Sequence, residues 1–146
     1  MLIKNLDALM MEHQHYSGLI SLDIPLISNL DVWNNIALIK LYKENMPKRE
    51  ARKLVLKLLH RYHLEDIAYK RSTSLTEEQK FCVMLLRAAM VHEAIIVIDR
   101  PFIILHNSKD SRFMEDALEK IDDLYKQCHI LEYIWNKSRY INNDAE

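Results

Sequence analysis

The sequence predicts an α/β, helix-rich fold with a short, mostly parallel sheet. The run EAIIVID (93–99) is β-branched and apolar and ends in an acid, which is typical of a central parallel strand. Residues 31–92 instead carry apolar side chains at helical spacing. A further helical segment and a second strand-like run, HILEYIW (129–135), follow, and this order of helices and strands indicates an α/β fold.

Length and composition predict one domain, residues 1–146. The chain is 49% apolar, with 20 basic and 21 acidic residues. This balance argues against a protein that binds nucleic acid mainly through phosphate charge. No apolar run approaches the roughly 20 residues that span a bilayer, and the first residues lack a signal-peptide pattern. Two cysteines do not form a disulfide framework, so we expect a cytoplasmic location.

Gly18 is the only glycine of the sequence. Loops that hold phosphates need several glycines, because backbone N–H groups must approach the ligand closely. The patterns GxxxxGKS, GxxxxGKT and GxGxxG are therefore excluded from these 146 residues. We expect no complete nucleotide-binding loop in this chain.

The first third of the chain predicts a strand and then a helix. Residues 1–17 are moderately polar, with Leu6, Leu9 and Met10 at helical spacing. A short strand begins at Gly18 and leaves the sheet near Pro25, since proline cannot donate to a ladder. Asp31 is a suitable N-cap for the following helix. The inward residues of that helix are expected to be Val32, Trp33, Ile36, Ala37 and Ile39.

Two further helices are predicted in the middle of the chain. Pro47 is expected at the first position of the second helix, where its missing N–H costs nothing. Thr76 and Gln79 match a capping box that opens the third helix. Its run FCVMLLRAAMV (81–91) is apolar on almost every face, so we expect it to be buried. The inward residues of the second helix are expected to be Ala51, Leu54, Val55, Leu58, Leu59 and Tyr62.

The last third predicts a strand, a helix and a second strand. The strand over 93–99 is followed by a helix that begins at Ser108 or Asp110. The second strand is predicted over 129–135, before a polar tail. The inward residues of the helix are expected to be Phe113, Ala117, Leu118, Ile121 and Leu124.

Four stretches in this order resemble the ATP-binding cassette (ABC) transporter ATPases. GLISLDIPLISNLDVWNNIAL (18–38) is similar to the Q-loop strand and the start of the helical subdomain. Residues 47–75 resemble the next two helices of that family. LTEEQKFCVMLLRAAM (75–90) is similar to the signature LSGGQQQRVAIARAL, and AIIVIDRPF (94–102) to the Walker B segment, four apolar residues followed by DEPT.

Several positions depart from the pattern that this resemblance implies. The Walker A loop would lie upstream of Met1. The Q-loop glutamine falls on Leu22, and the two signature glycines fall on Glu77 and Glu78. In the family those glycines let a helix N-terminus meet the γ-phosphate of ATP that the partner subunit holds. Two carboxylates at that place would repel the phosphate.

The Walker B segment keeps its aspartate and loses its base. The aspartate matches Asp99, but the catalytic glutamate falls on Arg100, which stays protonated. The switch histidine, expected at the end of the last strand, falls on Trp135, and His129 lies at the wrong end of that strand to replace it. The resemblance thus implies a chain without ATPase activity and without a cofactor. The remnant nucleotide-site positions are Leu75, Thr76, Gln79 and Asp99.

The same resemblance divides the single domain. It implies a helical subdomain at 31–92, with 1–30 and 93–140 as the remnant of an α/β core. Asp99 is more simply an acid that ends a strand than a metal ligand. Arg100 is open to two interpretations. It is either a replacement that pairs with Asp99, Glu77 or Glu78, or a neutral substitution at a position that is no longer under selection. The histidines and cysteines offer no complete metal-ligand set, so no metal is expected.

An apolar cluster lies near the transition from strand to helices. In the family this region sits beside the groove that receives a coupling helix of the membrane subunit, and its alternative here is ordinary core packing. We therefore expect the partner-binding residues to be Pro25, Leu26, Ile27, Leu30 and Trp33.

The function that follows is a non-catalytic subunit that docks to a transporter permease, an intact ATPase partner, or both. It would act in assembly or regulation at the inner face of the cell membrane, without membrane insertion and without nucleic acid. Homo- and hetero-oligomers both stay open. The alternatives are a soluble helical protein-interaction module unrelated to transport, and a decayed ABC ATPase fragment.

Overall fold

The computed structural model describes residues 17–140, in which five α-helices share one core with one face of a three-stranded sheet. The strands are β1 (Ser17–Ile20), β2 (Ala94–Asp99) and β3 (Tyr125–Leu131). The helices are α1 (Val32–Tyr42), α2 (Lys48–His60), α3 (Glu77–Ala89), α4 (Pro101–Ile104) and α5 (Arg112–Glu119). Short 3-10 helices lie at Glu65–Ile67, Ser72–Ser74, Asp122–Leu124 and Ile134–Arg139. The helical spacing of Leu6, Leu9 and Met10 and the end of the polar tail fall outside the described residues.

The three described strands are parallel, in the order β1-β2-β3. β1 pairs with β2 from Ser17 opposite Ile95 to Ile20 opposite Ile98. All six residues of β2 are buried, which is why its sequence is an unbroken apolar run rather than an alternation. The prediction of a central parallel strand is confirmed.

Gly18 lies where β1 approaches α3 most closely. A Cβ atom at this position would stand 2.5 Å from the carbonyl oxygen of Ala88 and 2.7 Å from its Cβ. No other residue type fits this contact without a shift of backbone, because glycine alone lacks a Cβ. The single glycine of the sequence therefore sets the spacing between helix and sheet.

Local capping signals fix the starts of α1 and α3. Asp31 accepts a hydrogen bond from the Asn34 N–H at 3.2 Å, as its sequence position predicts. The capping box of α3 is complete: Thr76 Oγ1 accepts from the Gln79 N–H at 3.1 Å, and the Gln79 side chain accepts from the Thr76 N–H at 3.0 Å. Both predicted caps are confirmed.

The two faces of β2 belong to separate apolar clusters. Ile96 and Ile98 point into the main core, which holds the buried side chains of α1 to α5. Val97 lies on the opposite face with Leu131 of β3. Among the described apolar side chains, only Leu19 packs against this second cluster.

Several predicted boundaries are wrong. The second helix begins at Lys48, because Pro47 is its N-cap with an extended ψ of 140°. The helix predicted from Ser108 or Asp110 begins at Arg112 and ends at Glu119. Ile121 is buried as predicted but lies beyond this helix, and Leu124 lies in the 3-10 helix that follows.

The C-terminal strand is also displaced from its predicted position. β3 runs from Tyr125 to Leu131 instead of 129–135, so it starts four residues earlier. His129 is therefore inside the strand, opposite Val97, rather than at its start. Trp135 lies in the 3-10 helix Ile134–Arg139 and not at a strand end. The short helix α4 was not predicted, although Pro101 stands at its first position, as expected for helix starts.

Candidate functional site

Buried polar side chains collect at the carboxyl ends of the three strands. Ser21 follows β1, Asp99 ends β2 and Glu132 follows β3, and each is buried. The carboxyl ends of parallel strands form one edge of the sheet, which is where ligands of open α/β folds bind. This edge is the candidate functional site.

An ion pair occupies the centre of this edge. Arg100 donates from Nε to Asp99 Oδ1 and from Nη2 to Oδ2, both at 3.1 Å. Ser21 Oγ donates to the same Oδ2 at 3.3 Å. A two-pronged guanidinium–carboxylate pair is among the stronger hydrogen-bonded contacts in proteins. Both oxygens of the Asp99 carboxylate are therefore engaged by the protein itself.

Backbone and ring contacts hold Arg100 in place. Its φ of 51° lies in the left-handed region, which is costly for a residue with a side chain. Its N–H donates to the Leu131 carbonyl at 2.6 Å, and its Nη1 donates to the Tyr133 hydroxyl at 3.2 Å. The hydrogen bonds to Asp99 and Tyr133 raise the pKa of the Arg100 guanidinium above its ordinary value. Arg100 is thus fixed as a cation on Asp99.

Tyr133 and Trp135 continue this cluster outward. Their rings stack at 4.2 Å with an interplanar angle of 10°, and the Arg100 guanidinium lies 5.9 Å from the centre of the Tyr133 ring. Trp135 is 70% exposed. The Asp23 carboxylate lies 4.0 Å from Nη2 of Arg100.

Glu132 is a buried site residue that the sequence did not reveal. Its carboxylate accepts from the Phe102 N–H, the Tyr133 N–H, the Asn136 amide and the Tyr140 hydroxyl, at 2.9 to 3.4 Å. The Phe102 contact places negative charge at the start of the short helix α4. Like Asp99, Glu132 is an acid at the end of an apolar strand, and that position could have identified it. Because the strand was predicted over 129–135, Glu132 was placed inside the strand instead of after it.

The start of α3 carries two carboxylates. Glu77 pairs with His106 and accepts from the backbone N–H and side chain of Asn107 at 3.4 and 3.3 Å. Glu78 is exposed. Arg100 therefore pairs with Asp99 and not with Glu77, which decides between the partners expected from the sequence.

The loop between β1 and α1 is held by two side chains. Arg87 donates to the carbonyls of Ile24 and Pro25 at 2.7 and 3.0 Å. The buried Asn35 accepts from the Ile27 N–H at 2.8 Å and donates to three carbonyls of residues 27–31. Burial lowers the pKa of Arg87 from its ordinary value. Neither loop anchor was predicted from the sequence.

The predicted partner-binding residues divide between surface and interior. Leu26 and Trp33 are buried, at 8% and 2% exposure, and Leu30 is half-buried. Pro25 and Ile27 are exposed, as are the loop residues Leu22 and Ile24. The accessible apolar surface of the loop, here called the loop patch, is formed by Leu22, Ile24, Pro25 and Ile27.

A surface cavity of about 310 Å³ lies between this loop, α3 and α4. It brings Leu22 and Glu77 together, two positions at which the sequence departs from the cassette pattern. Leu75 is instead buried in the main core, while Thr76 and Gln79 bond to each other at the start of α3. The cavity is lined by Leu22, Pro25, Leu26, Ser72, Glu77, Lys80, Met84, Ile103, Ile104 and His106.

Residues 17–140 contain no cluster of side chains suited to bind a metal ion and no thiol activated as a nucleophile. No three histidine, cysteine, aspartate or glutamate side chains of this range converge on a point that could hold a metal ion. Burial raises the pKa of the Cys82 and Cys128 thiols to about 12, so neither is a ready nucleophile at neutral pH. Within the same range, no helix combines the length and apolar character needed to cross a bilayer.

Comparisons with known proteins agree on the fold. A dimeric structure of the ATP-binding cassette MJ0796 in a post-hydrolysis state, bound to ADP and Pi, matches with a TM-score of 0.64 and 23% identity over 96% of this chain. A second dimeric structure of MJ0796, described as a bacterial ABC transporter cassette, matches with a TM-score of 0.63 and 24% identity over 91%. No protein-family model and no curated protein sequence matches.

This chain spans 64% and 59% of the two matching structures. At these identities the likeness concerns the fold. It confirms the prediction of a helix-rich α/β fold with a short parallel sheet. The chain has the fold of part of an ATP-binding cassette.

Proposed function

We propose that this chain is a non-catalytic cassette-like subunit that docks to a transporter permease, an intact ATPase partner, or both, and acts in assembly or regulation. The observation that carries the proposal is the Asp99–Arg100 pair. In the family that the sequence resembles, the aspartate belongs to the nucleotide site and the next residue is the catalytic base. Here that next residue is a cation bound to the aspartate.

The Asp99–Arg100 pair leaves the site without a general base and without a free carboxylate for a metal ion. Arg100 cannot accept a proton from water, because its guanidinium stays charged and its pKa is raised further by Asp99. A metal ion that approached Asp99 would have to displace a two-pronged guanidinium and the Ser21 hydroxyl. Both consequences support a site that does not carry out ATP hydrolysis.

The other departures point the same way. Leu22 offers no polar atom for a metal or for water, and its side chain is exposed. Glu77 and Glu78 place carboxylates in the first turn of α3, where a helix N-terminus would otherwise favour an anion. A phosphate group would meet negative charge there instead of free N–H groups.

The loop patch is the surface that suits docking. Four apolar residues are exposed on a loop whose backbone is fixed by Arg87 and Asn35. A loop that is already ordered loses little conformational entropy when a partner binds. The rigidly held, exposed apolar side chains of this loop are therefore better explained as a surface that binds a partner than as an ordinary solvent-exposed loop.

Site-specific photocrosslinking in cells tests this function. A photoreactive amino acid at Ile27 should label a membrane permease with several spans or a cassette ATPase. The matched control carries the same group at Lys57, an exposed residue of α2. Labelling from position 27 that yields only soluble proteins of other kinds would refute the transporter role and support the alternative interaction module.

The cellular location follows from the same proposal. A subunit that docks to a permease lies in the cytoplasm, at the inner face of the cell membrane, held there by its partner. Fractionation after removal of the permease gene that crosslinking identifies should move the chain from the membrane fraction to the soluble fraction. A chain that stays with membranes without that permease would contradict this location.

A further inference from the structure

Residues 40–61, which run from the end of α1 to the end of α2, are strongly basic. They contain eight lysines and arginines and only two glutamates, whereas the other 124 residues contain 12 basic and 19 acidic side chains. The net charge of −1 for the whole chain therefore combines a segment of +6 with a remainder of −7. A segment of this kind attracts anions although the protein as a whole does not.

Three of these eight cations are already engaged within the protein. Lys40 pairs with Glu44 at 3.1 Å, and Arg61 forms an ion pair with an aspartate near β3. Arg52 lies over the ring of Trp33, at 4.9 Å from its centre. The other five cations are exposed and have no ion pair with any described residue. They are here called the basic face and comprise Lys43, Lys48, Arg49, Lys53 and Lys57.

Most of the basic face lies on the side of α2 that points away from the core. Arg49, Lys53 and Lys57 are spaced four residues apart, so they form one stripe along the helix. At about 1.5 Å per residue, this stripe is about 12 Å long. The buried residues occupy the opposite side and comprise Ala51, Val55, Leu58 and Leu59. Glu50 is the single acid of α2, so the stripe stays positive along its length.

We propose that the basic face contacts the surface of a membrane that is rich in anionic phospholipids. Each lysine or arginine close to such a surface strengthens binding about fivefold. Tyr42 ends α1 directly before Lys43 and is 78% exposed. Tyrosine is enriched at membrane–water interfaces, because its ring and hydroxyl suit the headgroup region. A cationic face bordered by an exposed tyrosine therefore fits a lipid surface.

The acidic remainder of the chain favours a lipid surface over a nucleic acid. Domains that bind nucleic acid are commonly basic as a whole, whereas this chain has a net charge of −1. The same remainder is repelled by an anionic membrane, which limits the affinity of the basic face. The contact therefore orients the protein on a membrane and does not retain it there alone at physiological salt. The inference does not depend on the proposed function, because it involves neither the loop patch nor Arg100.

Cosedimentation of the full chain with vesicles tests the contact. At a low salt concentration of about 50 mM, where screening is weak, we expect binding to an equimolar mixture of phosphatidylcholine and phosphatidylserine but not to phosphatidylcholine alone. Arg49→Gln combined with Lys53→Gln and Lys57→Gln should weaken this binding about a hundredfold. The control combines Lys70→Gln, Lys80→Gln and Lys109→Gln, which removes three exposed lysines elsewhere and should weaken binding much less.

Three results of this experiment would overturn the proposal. They are absence of binding to the anionic vesicles, equal losses in the two triple variants, and tighter binding of a DNA duplex than of the vesicles at the same salt. Bicelles that contain spin-labelled phosphatidylserine give a second readout on the unmodified chain. Amide signals of α2 should broaden more than those of α5, and broadening centred on α5 would contradict the assignment.

Discussion

Replacement of Gly18 by alanine tests the contact between β1 and α3. The new Cβ would lie 2.5 Å from the Ala88 carbonyl oxygen, 2.7 Å from its Cβ and 2.8 Å from its Cα. Two of these three atoms are backbone, so relief requires the strand and helix to move apart. Overpacking of this kind costs about 1–3 kcal/mol of the free energy of unfolding. For a chain of this size we expect a fall in Tm of about 3–9 °C.

The direction of the stability change in Gly18→Ala distinguishes the close contact with Ala88 from the general effect of replacing glycine by alanine. Gly18 does not have a positive φ, so alanine suits its backbone. Where space is free, Gly→Ala stabilises by about 0.4–1 kcal/mol through the unfolded chain. Urea unfolding followed by circular dichroism would measure the difference. An unchanged or higher stability of Gly18→Ala would refute the close approach.

A double-mutant cycle localises the cost. Ala88→Gly alone should destabilise by about 1 kcal/mol through helix propensity. In the background of Ala88→Gly, the Gly18→Ala change should cost less, because the Cβ–Cβ contact has gone. Relief should be partial, since the Ala88 carbonyl oxygen remains. Strict additivity of the two changes would place the effect elsewhere.

Four other predictions address the caps, the loop, the thiols and the ion pair. Asn35→Ala should cost about 1–3 kcal/mol, because the Ile27 N–H loses its acceptor, and hydrogen exchange should rise at residues 27–31. Thr76→Ala should cost about 1 kcal/mol in urea unfolding, whereas Thr76→Ser should cost less. Above pH 9 the unfolded chain loses the Cys82 thiol proton that the folded chain keeps, so this buried thiol should lower stability by about 1.4 kcal/mol per pH unit up to about pH 12. Cys82→Ala should reduce this slope, and a slope equal to that of the unmodified chain would contradict the burial of the thiol. Arg100→Glu should not produce ATP hydrolysis in this chain in a phosphate-release assay, because the other departures remain.

Local signals in the sequence predicted much of the fold. The caps at Asp31 and Thr76 act within three residues, so their spacing in the sequence already contains the interaction. β2 was recognisable because a strand buried on both faces must be apolar throughout. The helical subdomain at 31–92 and its flanking core segments stay a prediction.

The errors arose where contacts distant in sequence decide the structure. β3 and the residues after it depend on Glu132, whose carboxylate is satisfied by groups as far away as Phe102 and Tyr140. The sequence run 129–135 has strand composition, but these hydrogen bonds turn it out of the sheet after Leu131. Helix α5 starts late because Ser111 bonds through its N–H to the Arg139 carbonyl.

The sequence identified several residues of the candidate site, but it did not show which of them pair with each other. The sequence offered Asp99, Glu77 and Glu78 as partners of Arg100, and the side-chain directions at the end of β2 select Asp99. Asn35 and Arg87 gave no sequence signal, because an amide or a guanidinium inside a helix usually faces solvent. Their role as loop anchors depends on how the loop folds back over α1 and α3.

Calorimetric titration of the full chain with MgATP tests the central claim most directly. The Arg100 guanidinium binds both oxygens of the Asp99 carboxylate, so the carboxyl edge of the sheet should not hold a nucleotide and its metal. We expect no magnesium-dependent heat of binding, and the same result for the Arg100→Glu variant. Micromolar binding that requires magnesium, with or without turnover, would contradict the account.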